Sequence, residues 1–248
     1  MAVRGACKTP IMDTEITIAN LSKRYGKTIA LDGVSLHIKS GLYGLLGQNG
    51  AGKTTLMRIL ATLLPKSEGS VSVGGFDISQ AKDIRRIIGY LPQEFSFYPS
   101  LRVREALDYL GLLSGMSNDE RKTRIPDVLR CVNLYEDRNK RVKALSGGMK
   151  RRLGIAQAIL HDPRILIVGE PTAGLDPVER IHFREMLAAL AEGRTVIFST
   201  HIIEDIEKTC GRLAVLNRGA LVFNGELADF IGSEDSMEAA YIRAIGEA

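Results

Sequence analysis

Residues 42–55 read LYGLLGQNGAGKTT, and this stretch decides the fold. Leu42 to Leu46 is an apolar run of strand length, and Gly47 to Thr55 fits the pattern G-x-x-x-x-G-K-[ST]. Glycines at these places let the backbone turn tightly and present N–H groups to phosphate oxygens, and a following helix start adds a favourable dipole. The stretch therefore predicts a strand, a phosphate-binding turn and a helix, in that order.

The glycine-rich turn contains the groups that a nucleoside triphosphate and its magnesium ion require. Lys53 would supply a cation to the outer phosphates, and the Thr54 hydroxyl could ligate Mg²⁺. The helix is predicted from Lys53 to Thr62, stopped before Pro65. We interpret the whole turn as a nucleotide site, with the binding residues Gly47, Gln48, Asn49, Gly50, Ala51, Gly52, Lys53, Thr54 and Thr55.

Outside this stretch the pattern alternates between strands and helices. Apolar and polar residues alternate before Tyr25 and again up to Ile38, which predicts two half-buried antiparallel strands with a turn near Gly26 and Lys27. Beyond Ser146 we expect helices and apolar strands in turn: a helix to about Leu160, a strand 165–168, a helix 178–191, a strand 195–199, a helix 202–208 and strands 213–216 and 221–223. Apolar strands between helices imply a mostly parallel sheet covered on both faces.

A helical stretch interrupts this alternation. Residues from Arg102 to about Val132 have a helical pattern, with a break around Gly115 to Asn118. We therefore predict an α/β fold: a P-loop core with a mostly parallel sheet, an N-terminal antiparallel β subdomain, and an inserted α-helical subdomain over about residues 95–160. The predicted domain covers residues 13–226, and residues 227–248 form a short helical tail of one or two helices.

Composition bounds the class of protein. The chain has 248 residues, 45% of them hydrophobic and 25% charged, with a net charge of +4, which is ordinary for a soluble globular protein. Its small basic clusters fit a solvated face, or contact with phosphate or anionic lipid headgroups. Larger basic blocks with interleaved aromatics are missing, so no nucleic-acid partner is expected. The two main clusters are Arg138, Lys140, Arg141 and Lys143, and Lys150, Arg151 and Arg152.

Cysteine content and hydropathy indicate the compartment. Cys7, Cys131 and Cys210 are odd in number and far apart, which argues against a disulfide framework or a zinc site and fits a reducing compartment. We expect Cys131 and Cys210 to be core thiols. A bilayer span needs roughly 20 predominantly apolar residues, and no segment qualifies. Residues 1–12 lack the apolar region of a secretory signal, so the protein is expected to be cytosolic unless a partner holds it at a membrane.

Two further motifs carry chemistry. The apolar run Ile165 to Val168 is followed by Gly169 and Glu170, and an acidic group at a strand end is what a P-loop enzyme needs near its metal. Leu145 to Gly148 read LSGG at a predicted helix start, where Ser146 is a good N-cap and the glycines leave backbone donors open. Taken alone, the second motif fits either a structural cap or an anion site.

In these motifs, which occur in fixed order, the chain resembles the nucleotide-binding domain of ABC transporters, over roughly Ile16 to Glu226. Gly47 to Thr55 looks like its Walker A motif and Leu145 to Gly148 like its LSGG signature. The remaining matches are single residues or short turns: Tyr25 for the aromatic that stacks on adenine, Gln93 for the Q-loop glutamine, Glu170 for the catalytic glutamate, Ala173 to Asp176 for the D-loop, and His201 for the switch histidine.

The resemblance implies a mechanism. Two such domains face each other head to tail, and each ATP lies between Walker A of one chain and the signature of the other. Ser146, Gly147, Gly148 and Asp176 would complete the partner's site. Glu170 would act as general base on water, and His201 would hold the γ-phosphate.

The same resemblance implies ligands and partners. Thr54 and Gln93 would ligate Mg²⁺, with Gln93 also counted among the catalytic residues. A transmembrane permease subunit would be the partner, with a second nucleotide-binding domain to form a homodimer or heterodimer, at the cytoplasmic face of the cell membrane. The other histidines, His37, His161 and His182, match no motif.

One position departs from the family. Where the family has an aspartate that helps to hold Mg²⁺, this chain has Gly169. Glycine offers no carboxylate and loosens a strand end, and Glu170 is not expected to substitute because adjacent strand residues point to opposite faces. Either Thr54, Gln93 and the phosphates suffice with slowed turnover, or ATP binds and hydrolysis is nearly lost.

Three functions follow from these observations. The leading one is the ATPase subunit of an ABC transporter, and the run Tyr90 to Glu94, the helical insert and the short tail favour export over import. The second is an ATP-binding, hydrolysis-impaired regulatory subunit, because of Gly169. The third is a soluble ABC-type ATPase in nucleic-acid or assembly work, although nucleic-acid relatives usually carry two such domains or a long coiled coil.

Overall fold

The computed structural model describes residues 14–246. Cys7, the first residue of the predicted domain and the last two residues of the predicted tail therefore lie outside the described part. Within it, no helix is both long and apolar enough to cross a bilayer.

Two sheets form the framework. A four-stranded antiparallel sheet has the order β2-β1-β4-β5, and a six-stranded, mostly parallel sheet has the order β10-β9-β3-β8-β7-β6. Only the edge pair β10–β9 of the second sheet is antiparallel. The strands are β1 (Ile16–Tyr25), β2 (Thr28–Ile38), β3 (Gly41–Leu46), β4 (Glu68–Val73), β5 (Phe76–Asp77), β6 (Ile88–Leu91), β7 (Ile165–Gly169), β8 (Thr195–Thr200), β9 (Arg212–Asn217) and β10 (Ala220–Glu226).

Nine α-helices are described between and beyond these strands. They are α1 (Lys53–Leu60), α2 (Ala81–Ile87), α3 (Val103–Leu113), α4 (Asn118–Cys131), α5 (Gly147–Ala158), α6 (Pro177–Leu190), α7 (Ile203–Glu207), α8 (Leu227–Ile231) and α9 (Met237–Gly246). The predicted P-loop α/β fold with its antiparallel sheet is confirmed. Helices α3 to α5 lie between β6 and β7, and α3 ends before α4 near the predicted break.

Alternation along the buried strands explains how the six-stranded sheet is covered on both faces. In β7, Ile165 and Ile167 pack against the antiparallel sheet and α1, while Leu166 and Val168 pack on the opposite face among the residues of α3 to α6. Successive strand side chains point to opposite faces, so a continuous apolar strand serves two cores. The phosphate-binding turn lies between them, at the carboxyl end of β3.

The structure adds elements that the sequence pattern did not indicate and corrects one expectation. No helix or strand is predicted over residues 68–91, where the structure has β4, β5, α2 and β6. The sequence gives little indication of β4, because its apolar residues are few and polar residues such as Ser70 and Ser72 lie between them. Cys131 is exposed rather than a core thiol, because it ends α4 on its outer side. Cys210 is buried as expected.

His161 should make the fold acid-sensitive. Its Nε2 donates to the carbonyl of Ile88 at 3.1 Å, which joins the chain after α5 to β6, and burial lowers the pKa of His161 below its ordinary 6.5. In acid the unfolded state therefore binds more protons than the folded state does. The contribution of His161 to the free energy of unfolding is present above pH 6.5 and is lost as pH falls.

We expect the free energy of unfolding to drop from about pH 7.5 to about pH 5.5 more in the parent than in His161→Gln, measured by urea denaturation. The exposed His182 gives the control variant His182→Gln. If the parent and His161→Gln lose the same free energy of unfolding over this pH range, His161 is not the cause of the acid sensitivity.

Candidate active site

Lys53 is the first residue of α1 and has its ammonium group inside the protein. The residue is 5% exposed, and Nζ donates to the carbonyls of Gly47 at 2.5 Å and Gln48 at 3.1 Å. Burial lowers the pKa of Lys53, and the nearby Glu170 carboxylate opposes that shift. The chain thus holds a cation against the glycine-rich turn at a desolvation cost, which is typical of functional sites.

The start of α1 leaves donors available for an anion. Its N-cap is Gly52, whose φ of 103° is in the left-handed region that favours glycine. No side chain caps the helix, and its first turn has no acidic residue. The free N–H groups and the helix dipole therefore face a polar cleft in the manner of phosphate sites.

Glu170 is the carboxylate of this cleft. It is 4% exposed, and its Oε1 lies 3.4 Å from Lys53 Nζ. Its φ of 45° is unusual for a residue other than glycine and directs the chain sharply away from β7. The expectation that Glu170 points away from the metal side was therefore based on the wrong premise: Glu170 lies outside the strand, and strand alternation does not apply to it.

His201 is held by Glu170. Nδ1 of His201 lies 2.8 Å from Glu170 Oε2, and an ionised carboxylate only accepts hydrogen bonds, so Nδ1 carries the proton. Nε2 is then the ring nitrogen left for another ligand. The pair resembles the base–orienter arrangement of hydrolytic sites.

A buried network fixes the segments around this pair. The Thr172 hydroxyl donates to Oδ2 of Asp205, a fully buried carboxylate. Nη1 of Arg184 donates to the other oxygen of Asp205 at 3.3 Å. Since Thr172 follows Glu170 and Asp205 lies in α7 after His201, the Asp205 carboxylate joins the Glu170 and His201 segments to α6. No motif singles out Asp205 in the sequence.

The cleft brings most of the predicted nucleotide residues together. It has a volume of about 340 Å³ and is lined by Ala30, Gln48, Asn49, Gly50, Ala51, Gly52, Lys53, Thr54, Thr55, Gln93 and Glu170. The metal candidates Thr54 and Gln93 thus share one cavity with Glu170. Gly47 contributes the carbonyl that holds Lys53. Ala30 of β2 was not expected, because a small strand residue carries no signal in the sequence.

Gly169 lets two strands approach closely. A Cβ at this position would lie 2.8 Å from the backbone nitrogen of Gln93 and 3.3 Å from the carbonyl carbon of Pro92. Real Cβ atoms do not approach backbone so closely, so a side chain here would displace the start of the Gln93 segment. Gly169 is buried and belongs to β7, where it pairs with Ser199 of β8; the expected loosening of the strand end stays a prediction.

The signature residues lie apart from this cleft. Ser146 is the N-cap of α5, and its Oγ accepts from the backbone of Met149 at 3.2 Å. Gly147 is exposed and has open space around its Cβ position. At Gly148 a Cβ would lie 2.9 Å from Glu179 Oε2, so a side chain there would have to displace the end of the Glu179 side chain. None of these residues lines the cleft of its own chain.

The two remaining candidates are also outside the cleft lining. Tyr25 ends β1 at the hairpin, is 46% exposed, and has the Lys23 ammonium 5.2 Å from its ring centroid. Asp176 is the N-cap of α6 and accepts from the backbone N–H groups of Val178 at 3.1 Å and Glu179 at 2.9 Å. Both are accessible to a second molecule.

Fold and cleft together define the class: a P-loop ATPase in which a buried lysine contacts a carboxylate that is bound to a histidine. A family model described as ABC transporter matches residues 31–173. The linearmycin resistance ATP-binding protein LnrL of Bacillus subtilis (strain 168) is 38% identical over 85% of this chain and 68% of its own. The Nod factor export ATP-binding protein I of Paraburkholderia xenovorans (strain LB400) is 37% identical over 90% and 74%.

Solved structures agree with these relatives. The dimeric structure of a bacterial ABC transporter cassette superposes with a TM-score of 0.77 at 30% identity, over 86% of this chain and 98% of that one. The chain therefore belongs to the ABC transporter family, as an ATP-binding subunit whose ATP hydrolysis drives transport. The alternatives, a binding-only regulatory subunit and a soluble ATPase in nucleic-acid or assembly work, are not favoured.

Proposed function

We propose that this chain hydrolyses Mg²⁺-bound ATP at a site shared with a second nucleotide-binding domain, and that it drives export through a separate transmembrane permease at the cytoplasmic face of the membrane. The observation that carries the shared site is the division of the phosphate-binding groups. Lys53 and the turn before α1 line the cleft, whereas Ser146 to Gly148 lie outside it on the start of another helix.

Within the cleft the proposed roles follow from the contacts. Phosphate oxygens of ATP would compete with Glu170 and two carbonyls for the Lys53 ammonium. Glu170 would then be free to accept a proton from water as general base, while Nδ1–H of His201 orients it. The side chain of His201 is partly exposed and would bind the γ-phosphate through Nε2 with both ring nitrogens protonated, because phosphate oxygens only accept hydrogen bonds. Tyr25 would stack on adenine.

The cleft also fits Mg²⁺. Thr54 and Gln93 are neutral oxygen ligands on its wall, and Mg²⁺ usually keeps several waters and binds substrate phosphates with few protein ligands. When bound, the ion would neutralise charge on the phosphates. Because Gly169 supplies no carboxylate, Thr54 and Gln93 are the proposed protein ligands.

The second chain would supply the remaining residues of the ATP site. Ser146, Gly147, Gly148 and Asp176 of one chain would face the ATP of the other, since a helix start with open donors suits phosphate oxygens. A dimeric relative supports this arrangement. The proposed functional unit covers residues 13–226, with the helical subdomain over about 95–160 contacting the permease and residues 227–248 as a short tail.

Export rather than import is supported by two relatives, whose names refer to linearmycin resistance and to Nod factor export. Copurification of the chain with a polytopic membrane protein tests the permease partner. Recovery with a soluble complex alone would contradict it. The ATPase role is tested by Mg²⁺-dependent phosphate release beside the blank Lys53→Ala; release equal to the blank would contradict it.

The substitution Gly169→Asp tests whether the missing family aspartate limits ATP hydrolysis by this chain. We expect it to lower the free energy of unfolding by about 1–3 kcal/mol, because the new Cβ overpacks against the Gln93 backbone. Gly169→Ala adds the same Cβ without a carboxylate and is the matched control. Turnover of the aspartate version should exceed that of the alanine version by about tenfold, since only the former adds a metal ligand.

Two outcomes would contradict this account of Gly169. Unchanged stability in both variants would mean that the Gln93 segment moves without cost. Equal phosphate release by the aspartate and alanine versions would mean that the missing carboxylate does not limit turnover.

A further inference from the structure

The guanidinium of Arg151 bridges two segments that carry proposed catalytic residues. Nη1 donates to the carbonyl of Gln93 at 3.1 Å, and Nη2 donates to the carbonyl of Ala173 at 3.3 Å. Ala173 in turn donates its N–H to the carbonyl of Glu170 at 3.4 Å. One side chain of the signature helix α5 therefore holds the backbone of the metal-ligand segment and of the turn after the general base.

Close packing keeps this side chain in place. The Arg151 guanidinium lies over the ring of Phe95, 5.7 Å from its centroid. One turn along α5, a Cβ on Gly154 would lie 2.7 Å from a methyl carbon of Leu91 and 2.9 Å from the Phe95 ring. Because Gly154 has no side chain, α5 packs closely against Leu91 and Phe95 on either side of Gln93, and Arg151 is held there by two hydrogen bonds and the Phe95 ring.

The charge of Arg151 also belongs to the site. Burial lowers the pKa of Arg151 from its ordinary value, and the negative charge of Glu170 opposes the shift. Arginine nonetheless keeps its proton in proteins. It therefore remains a planar donor able to bind both carbonyls at once, which a lysine ammonium does not reproduce.

We propose that Arg151 is a positioning residue that couples the signature of this chain to its own Gln93 and Glu170. The inference rests on the proposed function, because the ligand expected at Ser146 to Gly148 is the ATP of the partner chain. A displacement of α5 when that ATP binds is transmitted through two directional hydrogen bonds to the Gln93 segment and to the turn after Glu170. Each chain's hydrolysis then depends on the nucleotide held by its partner.

The test is Arg151→Ala in the full chain. We expect kcat for Mg²⁺-ATP to fall on the order of tenfold, because a small misplacement of catalytic groups slows the chemical step. The Hill coefficient for ATP should fall towards 1. The Kd for ATP measured in EDTA should stay within about twofold, because Arg151 does not line the cleft. Arg151→Lys should recover only part of kcat.

Arg124→Ala is the matched control: Arg124 lies in α4 and binds the backbone just beyond the other end of α5. Arg124 donates to the carbonyls of Ile159 at 3.1 Å and Leu160 at 3.3 Å, next to the end of α5. It removes the same charge and the same kind of link without reaching Gln93. If Arg124→Ala loses as much kcat as Arg151→Ala, or if Arg151→Ala weakens ATP binding as much as kcat, the positioning role is overturned.

A failure of the proposed function would give a different experimental result. If the parent releases no more phosphate than Lys53→Ala, the ATPase site itself is wrong, and the role of Arg151 falls with it. If the parent exceeds that blank and Arg151→Ala matches the parent in kcat and Hill coefficient, only the Arg151 proposal is overturned.

Discussion

Glu170→Gln should reduce phosphate release on the order of 10³-fold while leaving ATP binding intact, since general-base catalysis contributes 10² to 10⁴. Glutamine keeps the shape of the side chain but cannot accept the proton of water. The ion pair with Lys53, at 3.4 Å, is lost as well, so the ammonium becomes more available to phosphate. We therefore expect the variant to hold ATP at least as tightly as the parent.

The measurement is single-turnover phosphate release beside equilibrium ATP binding. Glu136→Gln is the matched control, because it makes the same change at an exposed carboxylate that pairs with Arg138 at 3.7 Å, away from the cleft lining. Release by Glu170→Gln within about tenfold of the parent would be too small a loss for a general base. In that case another group, such as His201, would have to take the proton.

The sequence predicts the fold well where a single pattern determines the chain. Gly47 to Thr55 demand a strand before them and a helix after them, and β3 and α1 lie there. The apolar run before Glu170 is β7, an internal strand of the sheet between β8 and the edge strand β6. These elements are buried on both faces or bound by special backbone geometry, so their residue types are strongly constrained.

The rest depends on tertiary contacts that no local pattern encodes. The φ of Glu170 removes it from strand alternation, and only the structure reveals this. The same holds for Gly169, whose missing side chain matters because the Gln93 backbone lies beside it. Arg151 belongs to a basic cluster that fits a solvated face, yet its guanidinium is turned inward to two carbonyls.

Lys53→Ala should abolish the stabilisation that ATP gives the chain. A ligand at 100 times its Kd adds about 2.7 kcal/mol to the free energy of unfolding, and loss of a buried charged partner of phosphate costs about 2–5 kcal/mol of binding. Affinity should therefore fall by about 30-fold or more. Thermal unfolding with and without ATP measures this directly.

The nucleotide-free variant separates lost binding from lost folding. Burial lowers the pKa of Lys53, so its ammonium is held at a cost to folding at neutral pH, and its removal relieves that cost. Removal also leaves the buried Glu170 without its cation, which is unfavourable. Because these effects oppose each other, the nucleotide-free unfolding temperature should change less than the ATP-induced shift. Lys122→Met, on the exposed face of α4, controls for loss of a positive charge. An ATP-induced shift in Lys53→Ala equal to that of the parent would place the phosphates elsewhere.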